Sequence, residues 1–190
     1  MSWSDQRELF VATCRRAVAM GLQMSTGGNL SLRLPDGAFL VKPSGIGLYD
    51  LAERDLLVVD AAGTVLEGTG KPTKELTSHL AVYDAAPRVG AVVHYHSPFA
   101  TAFAVAGKTI PLLTVHARRT LGSIPVLPAA PEGSRELALA LAEVFRRGEL
   151  KAVLLGGHGM LAAGAELEEA QALAELVEES AKVARLAAGL

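Results

Sequence analysis

Residues 29–43, NLSLRLPDGAFLVKP, alternate apolar and polar side chains on either side of Asp36-Gly37. A period of two marks a half-buried strand, and Asp-Gly is a favoured two-residue hairpin turn. The stretch predicts two antiparallel strands, and DLLVVDAAGTVLEG repeats the pattern around Gly63. Between and after these hairpins the spacing becomes helical. Asp5–Gly21 carries Leu9, Phe10, Thr13, Ala17 and Met20 at helical intervals and stops at Gly21. TKELTSHLAVYDAAP predicts a helix with Leu76, Leu80 and Tyr83 on one face, Glu75 and His79 on a neighbouring one, and Pro87 closing it.

Gly90–His96 then reads as an apolar strand, and Ser97-Pro98 caps a short helix with proline at its first position. SIPVLP predicts a short strand, Ser134–Arg147 a helix, KAVLLGG a buried strand and Glu166–Leu186 a long amphipathic helix. Hairpins and helices mix without strict βαβ alternation. The expected class is therefore α/β, a sandwich with a mixed, mainly antiparallel central sheet.

The 190 residues fit one domain, 1–190, with no linker or internal repeat dividing them. A formal charge of −2 gives no global attraction to nucleic acid or to an anionic membrane. Apolar runs fall well short of the roughly 20 residues that a membrane span needs. The start, MSWSDQRELF, lacks the basic and apolar regions of a signal peptide. The single cysteine, Cys14, cannot form an internal disulfide and reads as a helix-core thiol. These features together predict a cytoplasmic protein.

Chemistry concentrates at the end of the 90–96 strand. Residues two apart on a strand project to the same side, so His94 and His96 point together while Tyr95 faces away. His158, in VLLGGHGML, lies where another apolar strand gives way to glycines. Any one of them alone is more often a core or loop histidine. Together they suit a catalytic zinc centre, with three protein ligands and a fourth position open to substrate or water. Imidazole also suits other first-row divalent ions.

Glu75 stands near a helix start, where a carboxylate is ordinarily a solvated capping residue. It becomes a general base only if that helix start faces the metal. STGGNLSLR, with Thr26 and Asn29, and KPSGIG, with Ser44 and Gly45, offer the glycine-freed backbone donors of anion-binding turns. Glycine-rich turns of this kind usually only make corners. Neither fits a Walker or dinucleotide-binding pattern.

These pieces, in the order TGGNLS, KPSG, DLLVVD, GKPTKE, HLAVY, GAVVHYHSPFATA, SIPV and LLGGHGMLAAG, resemble the class II aldolase/adducin family from about Glu8 to Leu186. The resemblance implies a three-layer, nine-stranded-type α/β sandwich. It also implies a homotetramer with active sites between subunits. It assigns Zn2+ to His94, His96 and His158, catalytic acid/base work to Glu75, and substrate phosphate to Gly28, Asn29, Ser44, Gly45, Thr73 and Lys74. The implied reaction is zinc-dependent lyase chemistry on a phosphorylated ketose or sugar acid, through a metal-stabilised enediolate.

Three departures qualify the resemblance. The chain stops at Leu190 without the tail tyrosine that reaches a neighbour's site in the fuculose-phosphate enzyme. IPLLTVHARRT has Val115 and His116 where that enzyme carries a tyrosine, so His116 is either the replacement proton donor or a plain surface-loop residue. Lys74, in PTKE, is similar to members that decarboxylate 3-oxo-tetronate 4-phosphates, where a cation meets a carboxylate. Decarboxylation is the near alternative. Epimerisation lacks a match to the extra acid and tyrosine it recruits. A metal-free, adducin-like interaction module is the alternative of another class. His79, one turn after Glu75, reads as a structural partner rather than a ligand.

Overall fold

The computed structural model describes residues 3–190. Its elements run α1 (Trp3–Ala19), β1 (Asn29–Arg33), β2 (Phe39–Val41), β3 (Leu57–Val59), β4 (Val65–Glu67) and α2 (Leu76–Ala85). Next come β5 (Ala91–Tyr95), α3 (Pro98–Val105), α4 (Val115–Leu121), β6 (Val126–Leu127) and α5 (Arg135–Arg146). The chain finishes with β7 (Ala152–Leu155), β8 (Gly159–Gly164) and α6 (Leu167–Ala187). One open sheet has the order β4-β3-β2-β1-β5-β8-β7-β6, antiparallel throughout except for the parallel β6–β7 pair. The expected mixed, mainly antiparallel sandwich is what forms.

Strand alternation divides the core in two. Ala91, Val93 and Tyr95 of β5 pack with Phe10 and Cys14 of α1 and with Leu173 and Val177 of α6. Val92 turns the other way, into a second cluster with Val82 and Tyr83 of α2 and Leu141 and Phe145 of α5. The result is three layers, with α1, α3, α4 and α6 on one face and α2 and α5 on the other. Cys14 is fully buried in the first cluster, and burial pushes its thiol up to about 12.

Both hairpins form as predicted. The Asp36 carboxylate accepts from the Ala38 N–H at 3.1 Å. Asp60 accepts from the N–H groups of Ala62 and Thr64 at 2.9 and 2.8 Å.

Several expectations are corrected. The described residues form eight strands rather than nine. One further pairing is an isolated antiparallel bridge, Pro43–Pro72, and proline has no N–H with which to extend it. Gly159–Gly164, not anticipated as a strand, is the fully buried β8. Residues 115–121 are helix α4 rather than loop, capped by Thr114, whose hydroxyl accepts from the Ala117 N–H at 3.1 Å. Met20, placed on the core face of the first helix, is 56% exposed because α1 ends at Ala19. Ser97 precedes α3 without a side-chain cap bond. Glu178 of α6 takes that role, accepting from the N–H groups of Phe99 and Ala100 at 2.9 and 2.8 Å.

Candidate metal centre and active site

The antiparallel registers bring several strand ends to one edge of the sheet. Asn29 opens β1 opposite His94 near the end of β5, and Tyr95 faces Met160 at the start of β8. The β7–β8 turn therefore delivers His158 beside the two strand histidines. The ring centroids of the three lie 4.6–4.9 Å apart, and one nitrogen from each falls within 4.8 Å of the others. Tyr95 points away, as the period of two requires, and donates to the Gln171 side-chain oxygen of α6 at 2.6 Å.

The centre passes a simple chemical test for a metal. His94 Nδ1 donates to the Met160 carbonyl at 2.9 Å, so Nε2 carries its lone pair into the cluster. That Nε2 lies 3.0 Å from His96 Nε2. A tetrahedral ion with metal–nitrogen bonds of about 2.0–2.1 Å spaces its ligand nitrogens about 3.3 Å apart. Neither ring nitrogen of His158 has a hydrogen-bond partner, although both are buried. Burial pushes His94 well below the ordinary imidazole value, helped by the fields of His158 and His96, and burial also lowers His96 and His158. Three neutral imidazoles converging on one point are the donor set of zinc or another first-row divalent ion.

The start of α2 covers this group. Glu75 is its N-cap residue, only 4% exposed. Its two carboxylate oxygens lie 3.4 Å from His94 Nε2 and 3.4 Å from His158 Nε2. Burial raises it to about 7, the Glu132 charge adds to the shift, and a hydrogen bond with Asn29 opposes it. The solvated-cap reading of Glu75 therefore fails, because the helix start faces the histidines.

One turn on, His79 is fully buried and bonded through Nδ1 to the Ser31 hydroxyl at 2.7 Å. Ser31 in turn bonds Tyr83 at 2.8 Å. Burial holds His79 down at about 3, so it is a neutral structural partner.

A cleft of about 310 Å³ joins these residues to both glycine-rich turns. Gly28, Asn29, Ser44, Gly45, Thr73 and Lys74 all line it together with Glu75 and the three histidines. Thr73 reaches the cleft because its N–H bonds the Lys42 carbonyl at 3.1 Å, beside the Pro43–Pro72 bridge. His116 does not line it. It sits exposed on α4, with Nδ1 3.4 Å from the Thr120 hydroxyl.

Sequence reasoning missed two lining side chains. Lys42, 2% exposed, bonds the Thr26 carbonyl at 3.3 Å, and its only signal was a lysine ending an apolar strand just before Pro-Ser-Gly. Glu132 places a carboxylate oxygen 3.6 Å from His158 Nε2, and nothing in PEGS announces it.

Residues 8–185 match the model of the class II aldolase and adducin N-terminal domain. The chain belongs to the class II aldolase/adducin family. It is 36% identical over 174 residues to the L-fuculose phosphate aldolase of Methanococcus vannielii, with 92% of each chain covered. It is 37% identical to the L-ribulose-5-phosphate 4-epimerase UlaF of Salmonella paratyphi C, over 90% of this chain and 79% of that one. Among solved structures, YgbL of Klebsiella pneumoniae, described as a candidate aldolase/epimerase/decarboxylase, superposes with a TM-score of 0.90 at 35% identity. That superposition covers 96% of this chain and 89% of YgbL. Class II aldolase-family relatives thus include both aldolases and epimerases.

Proposed function

We propose that this chain is a metal-dependent carbon–carbon lyase acting on a phosphorylated ketose or sugar acid. One observation carries the reading. A buried carboxylate, Glu75, lies 3.4 Å from two of three convergent histidines in the cleft that the two glycine-rich turns also line. A divalent ion, zinc by preference, held by His94, His96 and His158 supplies Lewis-acid polarisation of the substrate's carbonyl and hydroxyl oxygens.

The chain's own residues do the rest. Backbone donors around Gly28 and Gly45, with the Asn29 amide, the hydroxyls of Ser44 and Thr73 and the Lys74 ammonium, hold the phosphate and fix the sugar's orientation. Glu75 moves a proton to or from the substrate carbon at which the bond breaks. Its burial at the start of α2, beside the histidines and in the wall of the cleft, puts the carboxylate within reach of a substrate held there.

In the same proposal the chain works as one domain in a cytoplasmic homotetramer with sites between subunits. His116, outside its own chain's cleft, would then serve a neighbour's cleft as proton donor. Among the described residues no helix is long and apolar enough to cross a membrane.

The test is a panel of ketose phosphates and 3-oxo sugar-acid phosphates on metal-loaded protein, read for aldehyde, carbon dioxide and epimer. Aldehyde release is expected. Carbon dioxide alone would move the assignment to the decarboxylase that Lys74 suggests, and epimer alone to the activity of the Salmonella relative.

A further inference from the structure

The cleft has a direction, set by strand order. Lys42–Gly45 follow β2 and Gly27–Asn29 lead into β1, on one side of β5 and its histidines. On the other side β8, β7 and β6 follow, and Glu132 lies five residues past the end of β6. The anion-binding turns and the Glu132 carboxylate therefore flank the histidines from opposite sides.

Glu132 is held there. At Gly133, φ is +67°, and an added Cβ would lie 2.3 Å from the Lys74 carbonyl oxygen, so this turn packs directly on the residue before Glu75. On its other side Ser134 caps α5, its hydroxyl accepting from the Leu137 N–H at 3.2 Å. Among the described residues His158 is the one polar partner of the Glu132 side chain, and 58% of that side chain stays exposed. Its second oxygen remains free to accept a hydrogen bond. Beyond it Glu132 and His158 wall a further open hollow of about 470 Å³, otherwise bounded by alanine, proline and glycine. A substrate fragment extending past the histidines has room there.

We infer that Glu132 is a specificity-determining residue: it accepts hydrogen bonds from hydroxyls on the fragment remote from the phosphate and repels a carboxylate placed there. The inference rests on the phosphorylated-substrate reading above and narrows it. The favoured substrates are neutral, polyhydroxylated ketose phosphates, and sugar-acid phosphates are disfavoured. Lys74, whose carbonyl packs against Gly133 where the two sides meet, is kept in this reading as a phosphate contact.

Binding separates the possibilities without relying on turnover. Calorimetric titration of metal-loaded protein with erythritol 4-phosphate and with 4-phosphoerythronate compares a hydroxymethyl end with a carboxylate end on equal chains. The native protein should prefer the polyol phosphate. Glu132→Gln, which removes charge and keeps size, should shift the ratio of dissociation constants toward the acid by about tenfold, the effect of one partly screened charge. Glu132→Ala also removes the acceptor and should weaken polyol phosphate binding by about tenfold or more. Metal content, by elemental analysis, should stay at the native level in both variants. Ratios unchanged in both variants, with the native protein binding both probes, would overturn the role of Glu132. A native protein that binds neither probe would instead overturn the phosphorylated-substrate reading, and this inference with it.

Discussion

Replacing Gly159 by alanine would drive one methyl group into the histidine centre. An added Cβ there lies 2.5 Å from the Tyr95 carbonyl oxygen, 3.0 Å from His96 Cδ2 and 3.3 Å from His94 Cε1. The nearest obstacle is backbone, which cannot rotate aside, so β5 and β8 must separate or the two rings must tilt. Overpacking of this kind costs about 2 kcal/mol, which in a chain of this size lowers Tm by about 4–8 °C. Ligand rings displaced by even a few tenths of an ångström should lose about 10–100-fold in metal affinity, the usual effect of disturbing a ligand's support.

Gly157→Ala is the control. Its φ is +68° and nothing lies within 4 Å of its added Cβ. It should lose about 1 kcal/mol to backbone strain and leave metal affinity alone. Chelator-competition titration, paired with thermal denaturation of the metal-free proteins, reads both quantities. A Gly159→Ala protein with native metal affinity, or a Gly157→Ala protein that loses as much of it, would refute the steric reasoning.

The His94→Ala, His96→Ala double variant should keep its circular dichroism and lose stoichiometric metal; full retention of the ion would exclude these two as ligands. Glu75→Gln should keep metal and fold while turnover drops by about 10²–10⁴-fold, the ordinary worth of general acid–base help. Unchanged exchange of the substrate's acidic proton with solvent would show Glu75 to be a bystander. Lys74→Ser should weaken neutral-ended and acid-ended phosphates alike, by roughly 10-fold or more for a lost charge-assisted bond, as isothermal titration would reveal. A loss confined to acid-ended ligands would make Lys74 a carboxylate partner and favour decarboxylation.

Where local pattern and tertiary demand agree, the sequence was readable. On β5, Val92 and His94 face the α2 side while Val93 and Tyr95 face α6, so the period of two alone put His94 and His96 together. The two hairpins carry Asp-Gly and Asp-Ala-Ala-Gly turns whose aspartates bond backbone N–H groups nearby, a purely local device. The two glycine-rich turns were recognisable one by one, and only the family resemblance joined them in a single site; both do line one cleft. That required β1 and β2 to pair in the register Ser31 opposite Val41, which no single segment encodes.

The misses share a physical cause. β8 is Gly-Met-Leu-Ala-Ala-Gly, buried on both faces, with neither alternation nor β-branched residues to mark it as strand. Its small side chains are what allow α6 to lie close, for an added Cβ at Gly164 would meet the Ala170 nitrogen at 2.7 Å. α4 spans seven residues, with only Ala117 and Leu121 buried, too short a run to establish a period. Glu132 is harder still, and Glu75 was found only through the family resemblance. A carboxylate at a helix start or in a proline-glycine turn is usually solvated, and both stretches look ordinary in isolation. What sets them apart is that α2 begins, and the turn before α5 passes, over the same strand ends that carry the histidines. The parallel β6–β7 pairing, Val126 with Leu154 and Leu127 with Leu155, brings the chain back beside His158 just before Glu132. The acidic side of the cleft is thus a product of topology, and a reading confined to local motifs finds the three histidines and the glycine-rich turns but not Glu132.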